Sequence, residues 1–328
     1  MSNLPFEKIQ RKVLVKQEAQ TSPKFGSNPL ERTAEELLDL GVVNIDKPSG
    51  PTSHEVSAYV QKILGIKKSG HSGTLDPKVT GVLPIAMGRA TRIVEMLLSS
   101  GKEYTAIMHL HSEVDEDKIR EVCNSFVGKI KQLPPIKSSI KRRERYRKIY
   151  YLDILEIDGK DVLFSVGTQA GTYIRKLIHD IGKELGVGAH MAELRRTKAG
   201  PFKEDTLITL QDLADGFHYW KKDNNREHLK KVILPVENAV QHLPKVWVID
   251  TAVDSICHGA GLKAPGIAKV ESDIQTGEKV AIMSLKNELI AIGDTRTISK
   301  EMIKMNKGMV VKPTKVFMLA GTYPKIER

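Results

Sequence analysis

The chain has 328 residues, enough for about two domains, and its 51 lysine and arginine residues against 40 acidic residues give a formal charge of +11, which favours a polyanionic partner such as nucleic acid. Two widely separated cysteines, Cys123 and Cys257, argue against a disulfide framework or a cysteine-based zinc site. No apolar run reaches the roughly 20 residues of a membrane span, and the N-terminus lacks the apolar core of a signal peptide, so a soluble cytoplasmic protein is expected.

Residues 1 to about 39 are polar and irregular, and we interpret them as an extension that packs on a neighbour or stays mobile. Gly41–Ile45 is a short apolar run that predicts a buried strand, and the Pro and Gly content of Asp46–Gly50 predicts a loop. Thr52-Ser-His-Glu55 has the pattern of a capping box. It begins a predicted helix that ends at Gly65.

Strand and helix patterns alternate in the middle of the chain. Every second residue from Tyr104 to Leu110 is suited to burial, which predicts a half-buried strand. Two runs, Tyr150–Ile157 and Val162–Val166, flank an Asp-Gly pair and predict a hairpin. A helix pattern follows, with Thr172 placed to cap it and Gly186 to end it. Hairpins mixed with helices indicate an α+β domain and not a regular series of β-α-β units.

The last third of the chain changes character twice. Trp220–His228 is strongly polar and is interpreted as a surface loop or insertion. From about residue 245, short β-like runs separated by glycines predict a small β-barrel-like module. These runs are Val246–Ile249, Val280–Met283, Leu289–Ile292 and Val316–Leu319. The predicted organisation is therefore an extension (1–39), a larger domain (40–243) and a small C-terminal domain (244–328).

The densest group of unusual residues is Gly70–Pro77, with the sequence GHSGTLDP. Its glycines, histidine, aspartate and proline predict a rigid, irregular loop. Proline disfavours helical geometry for Asp76 and presents the carboxylate from an extended backbone. Aspartate before proline is also a common turn residue, so these residues alone leave both a structural and a catalytic role open.

Several segments, in the same order, resemble the pseudouridine synthases related to the bacterial tRNA pseudouridine-55 synthase. His71–Pro77, followed by Gly81–Ile85, resembles the signature of that family. The other matching segments are Asp46–Gly50, Lys102–Tyr104, Pro134–Ser139, Gly171–Arg175 and Gly188–Arg196. The resemblance implies the pseudouridine synthase fold, with a mixed or antiparallel central sheet and flanking helices.

The sub-type is similar to the dyskerin proteins of archaea and eukaryotes. Pro134–Arg143 carries part of this resemblance, and the C-terminal module, which looks like a PUA domain, carries the rest. The chain lacks the long lysine-rich tails of the eukaryotic members. An archaeal source is therefore expected.

Taken residue by residue, the resemblance implies that Asp76 is the catalytic carboxylate, that Tyr104 stacks on the everted uracil and that Arg175 pairs with Asp76. Without the resemblance, Tyr104 is an ordinary strand aromatic and Arg175 a surface charge. Four more residues match positions that build or border the pocket. They are Lys47, His71, Tyr173 and Leu194.

The chemistry requires residues of these types. Pseudouridine formation breaks the N1–C1′ bond, rotates the uracil and rejoins it through C5. An ionised carboxylate in a water-poor pocket either attacks C1′ or removes the 2′ proton, and the sequence leaves both routes open. A bidentate pair with Arg175 would keep Asp76 ionised, and stacking on Tyr104 would return roughly 1–3 kcal/mol. No outside group is transferred, so no cofactor and no metal are expected.

A run of basic residues interleaves with Tyr146 next to the Pro134–Ser139 segment. A charge run is usually a solvated face, but beside the predicted pocket we interpret it as a phosphate-binding surface. Two glycines of the C-terminal domain are expected to let the RNA backbone approach closely. The predicted RNA-binding residues are Lys141, Arg142, Arg143, Arg145, Arg147, Lys148, Gly261 and Gly266.

The resemblance implies an isomerase acting on RNA in one of two settings. The enzyme either acts alone on uridine 55 of tRNA or is the catalytic subunit of an H/ACA guide-RNA particle that modifies rRNA. The dyskerin-like features favour the particle, whose partners would be guide RNA, target RNA and small accessory proteins, with no membrane. The alternative is a non-catalytic RNA-binding scaffold of the same fold, against which the intact set of Asp76, Tyr104 and Arg175 argues.

Overall fold

The computed structural model describes residues 2–133 and 143–325. Within these ranges no helix is both long enough and apolar enough to cross a membrane. The strands are β1 (Val13–Val15), β2 (Gly41–Lys47), β3 (Ser69–His71), β4 (Thr80–Met87), β5 (Lys102–Leu110), β6 (Gly128–Gln132), β7 (Arg145–Asp158), β8 (Asp161–Thr168), β9 (Ala189–Ala199), β10 (Phe202–Lys203), β11 (Leu234–Pro235), β12 (Lys245–Val248), β13 (Leu262–Lys263), β14 (Ile267–Glu271), β15 (Lys279–Met283), β16 (Leu289–Thr295) and β17 (Met309–Val316). The α-helices are α1 (Ala34–Leu40), α2 (Ser53–Leu64), α3 (Val94–Ser99), α4 (Glu116–Ser125), α5 (Ile174–Glu184), α6 (Leu210–Asp223), α7 (Glu227–Lys230), α8 (Asp250–Cys257) and α9 (Ser299–Lys304).

A 10-stranded mixed sheet forms the frame of the larger domain. Its order is β11-β2-β4-β9-β5-β8-β7-β6, with β3 added to β4 and β10 to β9. The pairing of β4 with β9 is parallel, and it is short: Thr80 lies opposite Arg195, and Gly81 opposite Arg196. The long hairpin of β7 and β8 is present, and the predicted α+β class with a mixed sheet is confirmed.

Helix α2 begins and ends as predicted. Thr52 is its N-cap and forms a reciprocal capping box with Glu55, while Gly65 ends the helix with φ +64°. Strand β2 runs two residues beyond the predicted end, through Asp46 and Lys47. The predicted loop after β2 is therefore shorter than expected.

The two faces of β4 serve different cores. Leu83 and Ile85 belong to a buried cluster that includes residues of α2 and α6. Val82 and Ala86 belong to another buried cluster, shared with residues of β15, β16 and Phe317 of the C-terminal domain. A continuous apolar contact therefore joins the C-terminal domain to the strand that directly follows the Gly70–Pro77 segment.

The polar stretch Trp220–His228 was predicted as a surface loop or insertion, but most of it is helical and only residues 224–226 form a turn. Helix α6 continues to Asp223, and α7 follows after a short turn. Trp220 and Leu229 are buried in the same core as α2. The polar residues around them form the outer surface of these two helices.

A 7-stranded sheet forms the C-terminal domain, in the order β1-β14-β12-β15-β16-β17-β13. Its edge strand β1 comes from the N-terminal extension and pairs with β14. Glu7 of the same extension pairs with Lys198 and Lys203 of the larger domain. The extension therefore packs on both domains. Strand β17 ends at Val316, so the strand predicted over Val316–Leu319 lies earlier in the chain than expected.

Candidate active site

The Gly70–Pro77 segment is held in place by groups outside it. Lys47 is completely buried and its ammonium group donates to the carbonyl oxygens of Pro48, Pro77 and Val79, each at 2.9 Å. Ser53, the first residue of α2, accepts a hydrogen bond from the Leu75 amide at 2.8 Å. The start of the segment is strand β3, so Gly70 and His71 are not part of a loop. The rigid part of the loop is therefore Ser72–Pro77.

Asp76 and Arg175 meet at the mouth of a cleft. Nη2 of Arg175 donates to Oδ2 of Asp76, although the two residues are 99 positions apart. The contact is a single hydrogen bond and not the predicted bidentate pair. The two side chains are 56% and 59% exposed, so the expectation of a water-poor environment was wrong for this structure. The pair lies at the rim of the cleft, where solvent reaches it.

The cleft has a volume of about 510 Å³. It brings Asp76 and Arg175 together with three other predicted residues, Tyr104, Tyr173 and Leu194. Met191 and Ile174 add apolar surface, so the cleft combines one carboxylate with aromatic and aliphatic walls. A planar heterocycle with polar edges is the kind of ligand that such a wall accepts.

Two buried cations that sequence reasoning missed, Arg196 and Lys102, also line the cleft. Arg196 lies directly opposite Tyr104 across β9 and β5 and interacts with its phenol oxygen. Its Nε donates to the Val82 carbonyl at 2.7 Å and its Nη2 to the Gly73 carbonyl at 3.3 Å. Strand periodicity could have identified Arg196, because a residue two positions after Leu194 shares its face of the sheet.

Burial sets the protonation behaviour around the cleft. It lowers the pKa of Lys102 to about 7, with the Arg196 charge adding to the effect. Burial also lowers the pKa of His71 to about 4, helped by the charges of His54 and Arg196. Burial lowers the pKa of Lys47 as well. Lys47 and His71 do not line the cleft itself. Lys47 holds the loop through the Pro77 carbonyl, and Nδ1 of His71 accepts a hydrogen bond from the Gly73 amide at 3.3 Å.

The position of Arg175 is set by the start of α5. The predicted cap, Thr172, does not cap this helix: its hydroxyl donates to the Gln169 carbonyl at 2.7 Å, and Tyr173 is the N-cap residue. The Tyr173 amide donates to the side-chain oxygen of Gln132, whose amide group donates to the Tyr173 carbonyl. These two bonds fasten the start of α5 to β6, and Arg175 follows two residues later.

The basic run is divided between the two faces of β7. Arg145 and Arg147 are partly buried on one face, and Lys148 is exposed on the other beside Tyr146. Arg143 precedes the strand and is exposed. The predicted RNA-binding residues Lys141 and Arg142 lie outside the described residues.

Gly261 and Gly266 have a packing explanation. A Cβ at Gly261 would lie 2.3 Å from Met309 Sδ, and a Cβ at Gly266 would lie 3.0 Å from the Ala252 Cβ. A side chain at Gly261 would displace the Met309 side chain, and one at Gly266 would press on Ala252, so close packing accounts for both glycines. A close approach of RNA to either glycine stays a prediction.

Among the described residues, no group of three or more His, Cys, Asp or Glu side chains is placed to hold a metal ion. The reactive groups of the cleft are the Asp76 carboxylate and the side chains of Arg175, Tyr104, Arg196 and Lys102. A cleft with one carboxylate and an aromatic wall, on a mixed sheet joined to a small β domain, is the arrangement that the sequence resemblance predicts for a pseudouridine synthase.

Comparison with known proteins agrees with this class. The model described as "TruB family pseudouridylate synthase (N terminal domain)" matches residues 61–174, and "tRNA pseudouridylate synthase B C-terminal domain" matches 175–241. A PUA domain matches 244–317, and a DKCLD (NUC011) domain matches 1–57. The chain belongs to the TruB family of pseudouridylate synthases, which are isomerases. The predicted family and dyskerin-like sub-type are confirmed.

Relatives and solved structures cover nearly the whole chain. The "Probable tRNA pseudouridine synthase B" of Pyrococcus abyssi is 57% identical over 97% of this chain and 96% of its own length. That of Methanopyrus kandleri is 55% identical, with 98% and 95% covered. A Cbf5-Nop10-Gar1 complex contains a chain 56% identical, with a TM-score of 0.94 and 99% of each chain covered. An H/ACA RNP bound to a substrate RNA containing 2′-deoxyuridine contains a chain 54% identical, with a TM-score of 0.93 and 98% and 99% covered.

Proposed function

We propose that the chain converts uridine to pseudouridine within folded RNA and that Asp76 is the carboxylate that reacts with the target nucleotide. The observation that carries this proposal is the hydrogen bond from Arg175 to Asp76 at the mouth of a cleft walled by Tyr104. The guanidinium is a donor only, so this hydrogen bond orients the carboxylate, the group that either attacks C1′ or removes the 2′ proton.

The target base reaches this cleft only after leaving its stack. Eversion costs a few kcal/mol, and stacking on the Tyr104 ring returns about 1–3 kcal/mol. The apolar side chains of Leu194 and Met191 exclude water from the remaining face of the base. The exposure of Asp76 fits this order of events, because the everted nucleotide itself covers the carboxylate.

The names of the relatives support two kinds of RNA substrate. One set carries the name tRNA pseudouridine synthase, and a similar chain occurs in an H/ACA RNP with a substrate RNA. We propose that this chain acts as the catalytic subunit of an H/ACA particle, with guide RNA and with accessory proteins similar to Nop10 and Gar1. Modification of tRNA at position 55 by the protein alone is the second activity.

The rest of the chain holds the RNA. We propose that the basic residues of β7 contact phosphates and that the C-terminal domain, residues 244–328, binds the body of the RNA. The larger domain would span residues 40–243 and the extension 1–39, with strand β1 fastening the extension to the C-terminal sheet. Such a particle would work in the cytoplasm.

The test separates catalysis from scaffolding. Purified protein is incubated with a tRNA transcript, and separately with guide RNA, accessory proteins and a target rRNA fragment, and pseudouridine is mapped in both. The expected result is modification in at least one reaction. Asp76→Asn should abolish it while RNA affinity stays within about twofold. Asp205→Asn, an exposed carboxylate away from the cleft, is the matched control and should keep full turnover.

Two outcomes contradict the proposal. If the wild-type protein modifies neither RNA, a non-catalytic scaffold is the better description. If Asp76→Asn still turns over at a rate close to that of the wild type, another residue supplies the reacting carboxylate.

A further inference from the structure

Three positively charged side chains are buried in the wall of the cleft or directly beneath it. Arg196 is 1% exposed, Lys102 is 5% exposed, and both line the cleft that contains Asp76. Lys47 is completely buried just beneath the same loop. Charged side chains of this kind are almost never fully buried unless they are paired.

Arg196 and Lys102 have hydrogen-bond partners but no counter-charge. Lys102 donates to the carbonyl oxygens of Leu97 and Ser100, at 2.6 and 2.9 Å, near the C-terminal end of α3. Arg196 donates to two carbonyls and contacts Tyr104. In the described part of the chain, neither cation has a carboxylate oxygen within 4.0 Å.

The neighbouring residue, Arg195, shows that an arginine of strand β9 can have carboxylate partners. Arg195 lies on the opposite face of the strand, where its guanidinium contacts Asp46 at 2.9 Å and Glu204 at 2.6 Å. The two consecutive arginines thus differ: the partly buried Arg195 has two carboxylate partners, and the fully buried Arg196 has none among the described residues. A charge that is desolvated and left without a counter-ion costs folding free energy, and such a cost is typical of a functional site.

The burial of Arg196 and Lys102 limits which anion can reach them. A backbone phosphate is bulky and hydrated, and it does not reach side chains that are almost fully buried. Uracil is different, because it enters the cleft as a neutral base and becomes anionic there. When the N1–C1′ bond breaks, its electron pair stays on the uracil and spreads over N1, O2 and O4, whether C1′ bonds to the Asp76 oxygen or the 2′ proton moves to it.

We propose that Arg196, assisted by the protonated form of Lys102, forms a cationic floor that stabilises the negative charge on the detached uracil. This inference rests on the proposed function. The charge exists only between bond cleavage and the formation of the C1′–C5 bond, which returns the base to neutrality; the C5 proton then leaves as a proton is taken up at N1. Fixed cations that meet charge only as it develops lower the barrier without tightening ground-state binding. The floor would also hold the uracil in the cleft while it rotates.

The test uses the chemistry of the leaving group. The RNA that the wild-type protein modifies is prepared with either uridine or 5-fluorouridine at the target position. Fluorine withdraws electrons and stabilises the uracil anion, so its release depends less on help from the protein. Single-turnover cleavage of the glycosidic bond is followed by quenching, nuclease digestion and mass spectrometry of the remaining target nucleoside.

Arg196→Gln should slow cleavage of the uridine substrate by about 10²–10³-fold, the size of effect seen when one oxyanion donor is removed. The same variant should slow the 5-fluorouridine substrate at least about 10-fold less. Arg196→Lys, which keeps the charge, should recover part of the uridine rate. Arg195→Gln is the matched control, and its ratio of the two rates should equal the wild-type ratio.

The outcomes are distinguishable. Equal slowing of both substrates by Arg196→Gln, with RNA affinity intact, would overturn the cationic floor. Lost affinity with an unchanged cleavage rate would also overturn it, because the charge would then serve ground-state RNA binding. If Arg196→Gln does not fold, Lys102→Met takes its place under the same criteria. An inactive wild-type protein would instead contradict the proposed function.

Discussion

Lys47 donates a hydrogen bond to the carbonyl oxygen of Pro77, 30 residues further along the chain, at 2.9 Å. Pro77 directly follows Asp76, so a buried ammonium group at the end of β2 fixes the backbone that carries the proposed catalytic carboxylate. The same group holds the carbonyls of Pro48 and Val79. One side chain therefore joins two loops at the base of the cleft.

Lys47→Met should both destabilise the protein and disorder the Asp76 loop. The variant leaves three carbonyl oxygens without this donor, which we expect to cost about 2–4 kcal/mol of unfolding free energy. Urea unfolding measures that loss, and single-turnover kinetics should show a lower rate with little change in RNA affinity. Lys62→Met, at an exposed position of α2, is the control and should stay within about 0.5 kcal/mol of the wild type. Wild-type stability for Lys47→Met would contradict this structural role.

Gly81 offers a second test of how the cleft is built. It has φ +101°, and a Cβ there would lie 2.2 Å from the Arg196 carbonyl oxygen across the parallel pairing of β4 and β9. Gly81→Ala should therefore combine backbone strain with a backbone clash and lower the unfolding free energy by about 3 kcal/mol or more. Thermal or urea unfolding measures the change.

Gly128 is the matched control for Gly81. Its φ is +115°, but a Cβ would meet nothing within 4 Å. Gly128→Ala should show only the strain, about 1–2 kcal/mol. Equal losses for the two variants would mean that the close approach of β4 to β9 has no energetic weight.

The parts of the fold that follow local rules could be predicted from sequence. The capping box at Thr52 and the left-handed Gly65 fix the ends of α2, and the alternation after Tyr104 marks β5. Thr172 satisfied the same local rule and was misleading, because Gln132 of a distant strand fastens the start of α5 through the Tyr173 backbone. A residue with the right local pattern does not form the helix cap when a tertiary hydrogen bond already holds the same turn.

In the candidate site, too, local motifs could be predicted from the sequence and features set by tertiary contacts could not. The identities of Asp76 and Arg175 could be predicted from motifs, but their exposure could not, because it depends on the depth of a cleft built from separate segments. Arg196 is the last residue of the Gly188–Arg196 segment that resembles the family, but its place in the cleft was not predicted. Its burial follows from the pairing of β9 with both β4 and β5, which no local pattern in the sequence reveals.

His71 gives a prediction about pH. Burial, aided by the charges of His54 and Arg196, lowers its pKa in the folded state from 6.5 to about 4. Between these values the unfolded chain binds a proton that the folded protein does not, so stability falls as the pH drops through this window. His71→Asn should lose less stability than the wild type between pH 6.5 and pH 4, as measured by urea unfolding. His218→Asn, an exposed histidine, should follow the wild-type curve. Parallel curves for His71→Asn and wild type would show that His71 titrates normally.

The exposed face of the β6–β7 hairpin should contribute to RNA affinity through charge. Lys129 and Lys148 lie directly opposite each other, and Lys129 sits 4.2 Å from the centre of the Tyr146 ring. Like charges across a pair of strands repel, so an RNA phosphate would relieve this repulsion. Each lost phosphate contact should reduce the slope of log affinity against log salt by about 0.9 for a duplex.

The double variant Lys129→Gln, Lys148→Gln should therefore bind different RNA sequences more weakly by a similar factor and lower the salt slope by up to about 2. Affinity titrations over a series of salt concentrations measure both quantities. Lys131 is the control on the same face, because Glu144 already pairs with it at 2.7 Å, so Lys131→Gln should change the slope less. A salt slope that the double variant leaves unchanged would place the phosphate contacts elsewhere, whereas a loss confined to one RNA sequence would point to base recognition by this face.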